Sequence, residues 1–154
     1  MHNHPGLTSD SGTATPDLFL RLARRGVLEA GGVVLAEGPD ALMFGLARGG
    51  RKFPGFARLG SRVVQLALEC AVCLPGRLAA ELKRRLRPFN AARAGPGWVV
   101  RTRPEGDLAC GMYTEVSLSA FTPAAFAGAV RRMRPEVLAF DAGLARLLAA
   151  CEGE

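Results

Sequence analysis

Apolar positions in this chain recur with two different periods, and the switches between them divide it into elements. In TPDLFLRLARRG, Leu18, Phe19 and Leu22 share a helical face, with Thr15 in the N-cap position, Pro16 at N1 and Asp17 in the first turn. Gly26 is the expected stop of this first helix. GGVVLAEGPDALMFGLARGG alternates as strands do. Val33 and Leu35 lead into a Gly38-Pro39-Asp40 turn, and Leu42, Phe44 and Leu46 return from it. RGGRKFPGFARLG reads as a basic, glycine-rich loop. RVVQLALECAVCLP then predicts one long strand, with Val64, Leu66, Leu68, Cys70, Val72 and Leu74 on one face and Gln65 and Glu69 on the other.

Leu78, Leu82, Leu86 and Phe89 form a helical stripe, and Pro88 is expected to kink or end that helix near Arg87. FNAARAGPG reads as a turn or frayed end. GWVVRTRPEGDLACGMYTEVSL predicts a hairpin. Pairing Thr102 with Cys110 and Val100 with Met112 keeps its apolar faces together, around a Glu105-Gly106-Asp107 loop. Arg101 and Arg103 then point away from the core. Finally Thr122 caps, Pro123 takes N1, Phe121 staples onto Phe126, and Arg134-Pro135 divides the terminal helix into a kinked or double one.

The expected order is α-β-β-β-α-β-β-α: an α+β domain over residues 15–151 with an antiparallel five-stranded sheet flanked by helices, behind a disordered tail at 1–14. An apolar fraction of 49% over 154 residues suits one globular domain. The first 15 residues lack the apolar core of a secretory signal, and no run of about 18 apolar residues offers a membrane span. A cytoplasmic protein with reduced thiols and no membrane association is expected.

Charge adds a question. Net charge is +6, and 18 of the 20 basic residues are arginine. A GC-rich coding sequence gives that composition, and so does selection for an anionic partner. Residues 76–134 hold 11 basic and four acidic residues, a local excess of +7. Within it, Lys83, Arg84, Arg85, Arg87, Arg101 and Arg103 are the candidate partner-binding residues.

Candidate chemistry is sparse. Cys70 and Cys73 form a C-x-x-C, but inside a strand they face opposite sides, and no second such pair or histidine follows in the folded region. Buried small residues account for them better than zinc or redox work. GLARGGRKFPG lacks the Ser/Thr and the following helix of a phosphate loop. His2 and His4, the only histidines, lie in the tail, which removes most Ser/His and Cys/His schemes. No catalytic, cofactor or metal residue is assigned, and a non-enzyme is expected. Direct, nonspecific nucleic-acid binding through the basic face is the alternative; it lacks exposed aromatic platforms and any helix-turn-helix, zinc-finger or RRM signature.

The run from ECAVCLPGRLAAELKRRLRPFN through GWVVRTRPEGDLACGMYTEVSL to FTPAAFAGAVRRM resembles the YbjN family and the related type III secretion chaperones. The shared pattern is a long strand, a helix ending in an Asn-containing turn, a hairpin with a Gly-containing tip and a polar-capped final helix. The resemblance spans about residues 15–150. It implies a homodimer that binds another protein without catalysis, as a chaperone-like adaptor or regulator. An acidic partner suits the arginines, and the acidic tail of a single-stranded-DNA-binding protein is one such partner.

Overall fold

The computed structural model describes residues 15–91 and 97–152. The tail expected at 1–14 and most of the turn expected after Phe89 lie outside them. The order is α1 (Pro16–Glu29), β1 (Val33–Glu37), β2 (Ala41–Arg48), β3 (Arg51–Leu59), β4 (Val63–Glu69), α2 (Ala79–Ala91), β5 (Gly97–Thr102), β6 (Leu108–Ser117) and α3 (Pro123–Glu152). Single 3₁₀ turns precede α2 and α3. The chain is α+β, with one antiparallel sheet of order β1-β2-β3-β4-β6-β5.

The sheet has six strands and not five, because the basic, glycine-rich loop is β3. Gly49 and Gly50, at φ 57° and 78°, make a two-residue hairpin turn that needs positive φ at both positions. Pro54 is tolerated because pairing with β4 begins one residue later, at Gly55. Gly55 is required by its neighbour: a Cβ there would lie 2.2 Å from Cζ of Phe44.

Other boundaries also move. The long strand ends at Glu69, and the chain returns to the sheet only at Leu74, bridged to Leu108. In the second hairpin Val100 pairs with Cys110 and Thr102 with Leu108, two residues from the expected register. The displacement is even, so each side chain keeps its face. Gly106, at φ 95°, is the left-handed tip residue. Gly26 does not stop α1. It is a buried notch where a Cβ would lie 2.6 Å from the Phe126 ring. Pro135 does not divide α3, which is one 30-residue helix. The cap expected at its start is present: the Ala125 N–H donates to Thr122 Oγ1 at 3.0 Å.

One face of the sheet carries Leu42, Phe44, Leu46, Phe53, Ala57, Val64, Leu66, Leu68, Trp98, Leu108, Cys110 and Met112, all buried. α1 and α3 pack on it through Phe19, Val27, Phe126, Val130 and Val137, and α2 through Leu82 and Leu86. On β1, Val34 pairs with buried Phe44, so the alternating Val33 and Leu35, expected inward, fall on the other face and are exposed; a bulge between Val34 and Ala36 follows. Arg51 is tied to the buried carboxylate of Asp141 on α3, which also accepts the Val72 N–H at 2.8 Å. That contact fastens the β2–β3 turn and the segment after β4 onto α3. Among the described residues no helix covers the opposite sheet face.

Candidate partner-binding groove

α2 runs past Pro88 to Ala91. The proline removes one N–H from the helix, so the Arg84 carbonyl loses its usual partner four residues on. The end of the helix is held instead by Asn90, whose side chain imitates a neighbouring strand. The Trp98 N–H donates to Asn90 Oδ1 at 2.7 Å, and Asn90 Nδ2 donates to the Trp98 carbonyl at 3.0 Å. Trp98 therefore directs its backbone groups away from β6. Antiparallel alternation gives Val100 and Thr102 the same outward orientation. β5 is an edge strand. Its outer edge is taken at Trp98, and among the described residues no backbone partner is bonded at the next two outward positions.

Beside that edge lies a groove of about 560 Å³. Leu86, Trp98 and Val100 line it, with Lys83, Arg87 and Asn90 around them. Lys83 and Arg87 are exposed and have no carboxylate partner among the described residues. Trp98 also lines a second cleft, of about 380 Å³, with Arg85, Phe89, Phe140 and Leu144. The Phe140 ring lies 4.7 Å from Trp98 and 5.9 Å from Phe89, centroid to centroid, the latter edge-on. The Trp98 indole N–H is buried with no partner among the described residues.

The six cations singled out in the sequence do not form one patch. Arg84 and Arg85 donate to Glu81 on their own helix, at 2.7 and 2.8 Å. Those bonds, Arg84's first, hold the Glu81 carboxyl below its usual value. Arg101 lies on the uncovered sheet face. It donates to both carboxylate oxygens of buried Glu69, at 2.9 and 3.1 Å, and its guanidinium sits 5.6 Å from the Phe56 ring centre. The Glu69 bond raises the Arg101 pKa despite partial burial. Arg103 contacts Cys73 Sγ at 3.2 Å and Asp107 and Glu105 at 3.3 Å. Lys83 and Arg87 alone combine free charge with an apolar floor.

The C-x-x-C cysteines also separate, though not within a strand. Cys70 is buried, with its sulfur 3.9 Å from that of Cys110, and this contact and burial push its thiol pKa up. Cys73 is half-buried in the following segment. Sequence reasoning missed Asn90 and the Phe89–Phe140–Trp98 cluster. The local signal was an Asn beside the last residue of the helix and a strand whose second residue is Trp. No protein-family model, curated protein or solved structure matches this chain.

Proposed function

We propose that this chain is a non-catalytic, chaperone-like adaptor that acts as a homodimer and holds an acidic, extended segment of another protein along β5. The observation that carries the reading is the groove: an apolar floor and a strand edge beneath two cations that have no carboxylate partner among the described residues. An added strand gains main-chain hydrogen bonds at Val100 and Thr102, while its alternate side chains meet Leu86, Trp98 and Val100. Lys83 and Arg87 select carboxylates and steer their approach. The element order supports the same reading, since it resembles the YbjN and type III secretion chaperone pattern with one strand more. The acidic tail of a single-stranded-DNA-binding protein has the required chemistry and would place the adaptor in nucleic-acid processing.

Trp98 is the only tryptophan and lines the groove, so its emission reports occupancy. The test is a titration with three probes: a peptide alternating Asp or Glu with Phe or Leu, the same peptide with Lys for each acid, and a single-stranded oligonucleotide. The acidic peptide alone should bind, more weakly as salt rises, with at least a roughly tenfold loss in Lys83→Glu/Arg87→Glu. Equal binding of the acidic and basic peptides contradicts the reading. Binding of the oligonucleotide without the acidic peptide replaces it with direct nucleic-acid binding.

A further inference from the structure

The face of the sheet away from the helices presents side chains in lateral rows fixed by strand register. One row runs Ala36, Met43, Phe56, Ala67, Tyr113, Gly97 across all six strands. On one side of it lie Ala41, Arg58, Gln65 and Glu115. On the other lie Gly45 and Pro54, then Glu69, Gly111 and Val99. Met43, Val99 and the β1 residues Val33 and Leu35 are among the large apolar side chains most open to water. A wide, mostly apolar sheet face of this kind marks a contact surface.

The pattern across these rows is self-complementary about β4. Rotation by half a turn about an axis along β4, in the plane of the interface, lays β3 over β6 and β2 over β5 of a second copy. The central residue, Ala67, then meets itself and is small enough to let the sheets approach. Phe56 meets Tyr113. Pro54, level with Glu69, meets the Glu69 side chain where it lies over Gly111. Met43 meets Gly97, and Val99 meets the Leu35 and Lys52 side chains, which lie over Gly45. Arg58 meets Glu115, twice by symmetry. Nearest the axis, Phe56 falls opposite Tyr113, Met43 opposite Gly97, and Arg58 opposite the carboxylate of Glu115. The two Glu69 carboxylates that approach at the axis are each neutralised by Arg101.

We infer that this face is the homodimer interface, with two copies packed sheet to sheet about β4 and held in register by paired Arg58–Glu115 contacts. The inference rests on the homodimer reading above and supplies its surface. Aligned sheets pack about 10 Å apart with a shallow rotation, so the rows nearest β4 carry most of the contact. The groove beside β5 stays open on both copies, because it lies on the helix side.

Light scattering of the full chain across a dilution series tests it, with Trp98 emission as the check that each variant is folded. The wild-type chain should scatter at twice 16.3 kDa. Ala67→Arg and Met43→Glu should each raise the dimer dissociation constant about 100-fold or more. Either suffices if the other fails to fold. Arg58→Glu should raise it roughly tenfold or more by setting two carboxylates against each other, and Arg58→Glu/Glu115→Arg should restore it. A monomeric wild-type chain overturns the homodimer reading itself. A dimer indifferent to Ala67→Arg and Met43→Glu, or a double swap no better than Arg58→Glu, overturns this interface and leaves the homodimer standing.

Discussion

Lys83 and Arg87 on α2, and Arg101 and Arg103 at the end of β5, belong to one local excess of positive charge in the chain, yet the fold gives the two pairs opposite surroundings. The sheet separates them. Arg101 is chelated by a buried carboxylate, and Arg103 is shared among two carboxylates and a sulfur. Lys83 and Arg87 face the groove without such partners among the described residues. Charge counted along a chain does not tell the two pairs apart, because the acid that neutralises Arg101 is Glu69, on another strand. The first pair is exposed beside the groove; the second is bound to groups of the fold itself.

This contrast makes mutations at the two sites diverge. The largest expected effect is at Arg101→Met, which leaves the Glu69 carboxylate buried without its counter-charge. A loss of about 2–3 kcal/mol is expected in urea unfolding, with groove binding kept. A cost under about 0.5 kcal/mol would place Arg101 among the dispensable surface charges. Asp141→Ala removes the acceptor of Arg51 and of the Val72 N–H. It should cost about 1–3 kcal/mol, less where Arg51 turns to solvent. Lys83→Met and Arg87→Met should change stability by less than about 0.5 kcal/mol each while weakening binding of the acidic peptide. Glu81→Gln releases Arg84 and Arg85 beside the groove and should tighten that binding about twofold at low salt.

The smallest effect is on pH. Glu37 and Glu81 are held below the usual carboxylate value by bonds to Arg24 and to Arg84 and Arg85. A lowered folded-state value means stability that is present above about pH 4.5, the ordinary value, and lost as pH falls through the lowered one. Melting temperature should fall on that acid limb, and Glu37→Gln/Glu81→Gln should flatten it. An unchanged limb would show that these exposed pairs add nothing.

What the sequence disclosed follows from period and parity. The stripe through Leu82 and Leu86 is buried, and alternation from Val64 to Leu68 set the core face of β4. The face of each residue in the second hairpin survived a register error of two, since parity alone decides it. β3 was hidden because Pro54 and Gly55 are strand breakers except where the neighbouring strand has not begun and where a ring fills the missing side chain. Gly26 and Pro88 stand inside helices for tertiary reasons, a notch for Phe126 and a helix end held by Asn90 on Trp98, while Pro135 is carried within α3. The orientation of Arg101 away from the core was legible. Its capture by Glu69 was not, because that depends on strand order.

The most direct test is the Trp98 titration with the acidic peptide on two charge-removed proteins, Lys83→Gln/Arg87→Gln and Arg101→Gln/Arg103→Gln. The first should lose at least about tenfold in affinity while remaining as stable as the wild type, and the second should bind within about twofold while being less stable. The reverse pattern, with affinity lost at Arg101 and Arg103 and kept at Lys83 and Arg87, would contradict the account and move the partner to the uncovered face of the sheet.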